Sequence, residues 1–186
     1  LVALASEEKD VIVRDGRTGL IQATLKGHED AVTCAAFSPD GKTLVTGSAD
    51  KTLLLWDVVT FKTRAVLRGH TNWVYAVAFA PDGRTLASGA YDKTVRIWNA
   101  ATGREHVSID AHRGSVRAVC YSPDGKTLAT GGSGLTASVA RSLQLHPSPS
   151  NLATAGNDVL TLTLTKSASA ADLVGCMVRV DFLIAL

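Results

Sequence analysis

Neither sign of charge dominates this chain. Nineteen Lys and Arg stand against 17 Asp and Glu among 186 residues, a formal net charge of +2. The basic residues are scattered rather than clustered, so no nucleic-acid partner is expected. Cysteine is scarce: Cys34, Cys120 and Cys176 are the three. An odd count at wide spacing argues against a disulfide framework and for a reducing, intracellular setting, cytoplasmic or nuclear. None has a Cys-x-x-Cys or Cys/His spacing, so no metal site is expected. Long apolar runs are missing too. The stretch 173–186 is broken by Arg179 and Asp181 and is too short for a bilayer, so no membrane partner is expected. The N-terminal LVALASEEKD reaches charge within seven residues, unlike a signal peptide. A Gly-x-Ser-x-Gly elbow, a phosphate-cradling loop and a nucleotide fingerprint are all lacking, so no cofactor or small-molecule substrate is expected. The first residue is Leu1 and falls mid-pattern, as in a fragment or a processed chain.

What the chain does have is a period. His28, His70 and His112 stand 42 residues apart, as do Trp56 and Trp98. Ser-Pro-Asp-Gly at 38–41 returns as Ala-Pro-Asp-Gly at 80–83 and Ser-Pro-Asp-Gly at 122–125. Three independent markers in one register define a repeat, and the period suits four-stranded propeller blades. Within one period, 32–37, 43–48, 52–56 and 63–67 read as short strands. Pro39 presets one turn dihedral and Gly41 supplies the positive φ between the first two. The first three strands are apolar on both faces, as sheets packed between two others must be.

Not every unit is whole. Residues 27–68 and 69–110 are full units. Residues 1–26 fit the later part of one, with VIVRD at 11–15 matching LLLWD at 53–57 and the innermost strand absent. Arg14 stands where Trp is expected, and Glu8 at the position of Asp50. The unit at 111–137 starts well and breaks after Thr130. Residues 138–164 resemble the first three strands of another unit, in a register offset by 108 rather than 126 residues. About 18 residues are missing there; a joining error and a true deletion both produce that pattern. Residues 165–186 fall outside the repeat, and the alternation of VRVDF within them suggests a strand.

The recurrence of Gly-His, Pro-Asp-Gly, Ser-x-Asp and Trp-Asp in one register resembles the WD-repeat family. The two full units carry it most closely, with Trp56-Asp57 and the variant Trp98-Asn99, and the partial units extend it over residues 1–164. The resemblance implies an all-β fold of four-stranded antiparallel blades, here an incomplete or open propeller of about four units. It also implies a hydrogen-bonded set in each blade: His28, Thr46, Asp50 and Trp56 in the first full unit, and His70, Ser88, Asp92 and Trp98 in the second. The next unit keeps His112 and Thr130, but Gly134 replaces Asp. The last keeps Thr154 and Asp158, with Leu164 in place of Trp. A half-satisfied polar network is costly, so these two are expected to be the weakest blades.

Ser, His and Asp together invite comparison with a hydrolase triad, but a trio that recurs every 42 residues suits architecture. No enzymatic activity is expected. The resemblance instead implies a non-catalytic scaffold that displays loops to proteins or peptides. An alternative is a substrate- or peptide-recognition subunit of a larger complex, of ubiquitin-ligase or chromatin type; another is a truncated or mispredicted product with no independent function. The resemblance further implies that Ala31, Ala49, Trp73, Tyr91 and Ser115 point to the display surface. Trp73, Tyr91 and, in the next loop, Arg113 are the candidate partner-binding residues. Cys34 and Cys120 are expected to be buried small hydrophobes.

Overall fold

A computed structural model describes residues 1–5, 9–132, 141–147 and 160–165, with side chains up to residue 132. Gly134, Thr154, Asp158, Glu8 and residues 166–186 lie outside the described residues, as do the expectations placed on them. The described residues are all-β and fold as antiparallel meanders. Strands β1 (Val2–Ala5), β2 (Val11–Arg14) and β3 (Ile21–Leu25) make a three-stranded first sheet. The second sheet is β4 (Val32–Phe37), β5 (Thr43–Ser48), β6 (Thr52–Asp57) and β7 (Thr63–Arg68). The third is β8 (Val74–Phe79), β9 (Thr85–Ala90), β10 (Thr94–Asn99) and β11 (Glu105–Asp110). The fourth is β12 (Val116–Tyr121), β13 (Thr127–Gly132), β14 (Arg141–Pro147) and β15 (Leu160–Thr165).

The turns explain the meander. Gly41 takes φ 68° and its N–H donates to Ser38 O at 2.8 Å. The Asp40 carboxylate accepts from the Lys42 N–H at 3.0 Å, and the Ser38 hydroxyl accepts from the Thr43 N–H at 2.9 Å. This Asx-type closure starts β5 at a fixed register. Asp57 caps the next turn by accepting from the N–H groups of Val59 and Thr60 at 3.1 and 2.7 Å. Asn99 does the same for Ala101 and Thr102, so the Trp-Asn variant keeps its function as a turn cap.

The sheets stack in chain order through their inner strands: β1 on β4, β4 and β5 on β8, β8 and β9 on β12. Each strand sends alternate residues to opposite faces, so each interior sheet feeds two cores. Leu44, Leu54 and Trp56 pack toward Val11 and Val13 of the first sheet. Val45, Leu53 and Leu55 pack the other way, onto Val74, Leu86 and Trp98. Ala87, Val95 and Ile97 continue onto Val116, Tyr121 and Leu128. The sheets are open, and no closed barrel forms among the described residues.

The described parts of residues 138–164, which the repeat register gives to a separate unit, are β14 and β15, and these pair onto β13 as the outer strands of the fourth sheet. An exposed edge of backbone donors and acceptors takes the next available strand, whatever its register in the repeat. The first sheet has three strands, with β1 at the repeat position of β5 and paired with β2 from Val2↔Arg14 to Ala5↔Val11, and no innermost strand among the described residues.

The cysteines differ from expectation as well. Cys34 is partly buried where β4 meets β8, but Cys120 is exposed. Cys120 lies on the face of β12 that would meet a further sheet, and Ala118 on the same face is also exposed. Burial pushes the Cys34 thiol up to about 11, outweighing the Thr33 hydroxyl and Gly47 N–H that favour the thiolate. With iodoacetamide at mildly alkaline pH, Cys120 should therefore be alkylated at least about ten-fold faster than Cys34, as read by peptide mapping. Equal rates would mean that the seam between β4 and β8 opens readily.

Candidate functional site

Two layers matter: a buried network inside each full blade, and an aromatic surface at one end of the third sheet. In the second sheet, His28 Nδ1 lies 2.8 Å from Asp50 Oδ2, and His28 Nε2 lies 2.8 Å from Thr46 Oγ1. Trp56 Nε1–H donates to Thr46 Oγ1 at 2.9 Å. The third sheet repeats this geometry. His70 lies 2.9 Å from Asp92 and 2.7 Å from Ser88, and Trp98 Nε1–H donates to Ser88 Oγ at 2.8 Å. In the fourth, His112 Nε2 lies 2.9 Å from Thr130 Oγ1.

The donors run one way along this chain. The carboxylate can only accept, so His Nδ1 carries the proton and Nε2 accepts from the hydroxyl, whose oxygen accepts the indole N–H. Each carboxylate has further donors. Asp50 accepts from the Glu29 N–H at 2.9 Å, the Thr52 N–H at 2.8 Å and the Thr52 hydroxyl at 2.7 Å. Asp92 accepts from the Thr71 N–H at 2.9 Å, the Thr94 N–H at 3.0 Å and the Thr94 hydroxyl at 2.7 Å. Burial works to raise both carboxyl pKa values, but the donors win and hold both below the ordinary value. For Asp92 the largest opposing contribution is the His70 ring, and for Asp50 the Thr52 hydroxyl.

A carboxylate with a depressed folded pKa stabilises the fold above its unfolded pKa, and that stability is lost as pH falls through the folded pKa. The urea midpoint should hold steady near neutrality and fall as pH drops below about 4, the ordinary carboxylate range. Asp92→Asn should start lower and show a shallower acid limb. An unchanged acid limb in that variant would remove Asp92 from the linkage.

Ser88, His70 and Asp92 have the atom order of an acyl-transfer triad, yet Ser88 is 0% exposed and its oxygen already accepts the Trp98 indole. No substrate carbonyl can reach it without dismantling the blade, so this trio is architectural. Among the described residues no cluster of three or more His, Cys, Asp and Glu gathers as a metal site, and no helix is long and apolar enough to cross a membrane.

The surface layer starts from a bulge. In β4, β8 and β12 the pairing register shifts after the first residue, so Thr33, Tyr75 and Arg117 are the extra residues at one recurring position. A bulge re-aims the side chain it carries. The Thr33 hydroxyl donates to the Gly47 carbonyl at 3.0 Å and also meets the Val74 carbonyl of the next sheet. Tyr75 instead joins two exposed rings. Its centroid lies 6.3 Å from Trp73, edge-on, and 6.2 Å from Tyr91. Trp73 and Tyr91 are 47% and 50% exposed, and the Tyr91 N–H donates to Trp73 O at 2.8 Å. Arg117 of the next sheet places its guanidinium carbon 5.0 Å from the Tyr75 centroid. Arg113 is exposed on the loop before β12, outside this ring cluster. Tyr75 and Arg117 are additions to the candidate surface. The signal for them was their shared place in the 42-residue register, two residues after Trp73 and Ser115.

The family model described as "WD domain, G-beta repeat" matches residues 19–57, 61–99 and 103–139, more than half of the chain. The chain belongs to the WD-repeat family. Each WD match at 19–57 and 61–99 begins near the outermost strand of one sheet and ends with the third strand of the next, so neighbouring sheets are tied together by sequence. Among relatives, an intraflagellar transport protein 122 homolog of Danio rerio is 46% identical over 43 residues, 23% of this chain and 4% of that protein. The Homo sapiens counterpart is 44% identical over 43 residues. A Notchless protein homolog of Arabidopsis thaliana is 57% identical over 30 residues, 16% of this chain and 6% of that protein. These alignments span only a few per cent of the length of the curated relatives.

Proposed function

We propose that this WD-repeat chain is a non-catalytic scaffold whose blades hold a binding surface for other proteins or peptides, in the cytoplasm or nucleus. The observation that carries the reading is the cluster of exposed Trp73 and Tyr91 around half-buried Tyr75, on a sheet whose His70, Ser88 and Trp98 are buried. Half-exposed aromatic rings on rigid backbone are the side chains that most often anchor an interface. The sets His28–Thr46–Asp50–Trp56 and His70–Ser88–Asp92–Trp98 lie behind that surface and hold its loops in place. The organisation proposed is a repeat region over 1–164, and Trp73, Tyr91 and Arg113 are its contact residues.

The short alignments to the intraflagellar transport and Notchless homologs fit this reading at the level of the blade. What is shared over 43 or 30 residues is about one repeat, which supplies architecture and not a partner. Affinity purification of the full chain, compared with the Trp73→Ala/Tyr91→Ala variant by quantitative mass spectrometry, tests the surface. Loss of specific partners by about ten-fold or more is expected, since two aromatic hot spots are removed. A double variant that retains every partner would reject this face as the binding site.

A further inference from the structure

We propose that the Trp73–Tyr75–Tyr91 face and Arg117 together take an acidic peptide segment, one whose Asp or Glu side chain flanks a bulky apolar or aromatic residue. This inference rests on the reading of that face as a partner surface and names the chemistry of the partner. Its first support is the pre-set guanidinium. Arg117 occupies the bulge position, its guanidinium carbon is 5.0 Å from the Tyr75 centroid, and its Nε–H donates to Ser115 Oγ at 3.4 Å. Its terminal nitrogens have no carboxylate partner among the described residues. An exposed Arg held over an aromatic face loses less freedom when it grips a carboxylate, and its planar fork fits one bidentately.

The second support is the sign of the surrounding charge. Lys93 follows Tyr91 and Asp92, and its carbonyl accepts from the Ala111 and His112 N–H groups at 3.2 and 3.4 Å. That contact draws Lys93 beside the loop carrying Arg113. Arg117 lies against the rings from the fourth sheet, with exposed Lys93 and Arg113 on neighbouring loops, and none of the three is ion-paired among the described residues. Of the nearby carboxylates, Asp92 is already committed to His70, Thr71 and Thr94, and Asp110 stands opposite Thr94 at the end of β11. A cationic ligand would meet a ring face already occupied by Arg117, with two further like charges on the neighbouring loops. An acidic one meets complementary charge beside two exposed rings.

The test uses the full chain and three fluorescently labelled peptides with the same central Trp, flanked by Glu, Gln or Lys. The Glu-flanked peptide should bind about ten-fold more tightly than the Gln-flanked one, the difference expected from one good charge-assisted pair. Arg117→Gln should erase that difference and leave Gln-peptide binding unchanged, while Trp73→Ala weakens both. Arg117 is exposed, so its variant should keep the wild-type thermal midpoint. Equal binding of Glu, Gln and Lys peptides that still depends on Trp73 would overturn the acidic preference and leave the partner surface standing. Tighter binding of an oligo-dT strand than of the Glu peptide, lost in Arg117→Gln, would reassign the site to single-stranded nucleic acid and overturn the proposal. No binding of any peptide to the wild type would overturn it as well, and the broader surface reading is then judged by the Trp73→Ala/Tyr91→Ala purification.

Discussion

Asp92→Ala is expected to destabilise the chain by about 3 kcal/mol at neutral pH, from the loss of charge-assisted hydrogen bonds at a desolvated site. The side chain is only 5% exposed. Its removal strands the Thr71 N–H and both donors of Thr94, and leaves His70 Nδ1–H only the Thr94 hydroxyl, 3.3 Å away. Asp92→Asn repairs this only in part. With its oxygen toward His70 and Thr71 the amide nitrogen faces the Thr94 N–H; with the amide turned over, His70 could meet it only by moving its proton to Nε2. Ser88 would then receive donors from both His70 and Trp98, and its own hydroxyl proton would lose its acceptor. The cost is passed along the chain rather than removed. Because the four side chains act as one unit, Asp92→Ala and Ser88→Ala should be non-additive, with a coupling of about 1 kcal/mol or more in a urea-denaturation cycle. Additive losses, or an Asp92→Ala cost below about 1 kcal/mol, would show that water substitutes freely for the carboxylate.

The network was legible through the resemblance to WD repeats, which the recurrence of Gly-His, Pro-Asp-Gly and Trp-Asp at a period of 42 brought into view. Thr46 and Ser88 interchange since either hydroxyl can accept from an indole and donate to a ring nitrogen. Other features escaped for physical reasons. The bulge position holds Thr33, Tyr75 and Arg117, three unlike side chains, so a search for similarity passes over it. Backbone pairing makes that position special, and side-chain type does not reveal it. The assignment of β14 likewise depended on the open edge of β13 and not on resemblance to an inner strand. Cys120 sits in the same apolar alternation as its neighbours. Alternation shows which residues share a face, but not whether another sheet covers that face.

Gly89→Ala is expected to cost about 2 kcal/mol through overpacking, although the change adds a single methyl. A Cβ at Gly89 would stand 2.5 Å from Val116 Cγ1, 3.0 Å from Val116 Cβ and 3.2 Å from Val119 Cγ1. These atoms belong to the next sheet, so β12 must shift or Val116 must rotate into its neighbours. Gly47 is one repeat earlier and meets Cys34 Sγ and Val74 Cγ1, both at 2.7 Å, so Gly47→Ala should cost a similar amount. Gly131 is one repeat later, and its added Cβ would find only Ala118 Cβ at 3.6 Å. Gly131→Ala should therefore be neutral or stabilising by up to about 0.5 kcal/mol, since Ala reduces the freedom of the unfolded chain. Val116→Ala should restore part of the loss in Gly89→Ala, but not all, because the Val116 Cβ remains in the way. Thermal midpoints of these variants give the ranking directly. If Gly131→Ala proved as damaging as Gly89→Ala, the exposed face of β12 would have to be covered in solution. Cys120 alkylation would then be slow as well, so the two measurements check the same face independently.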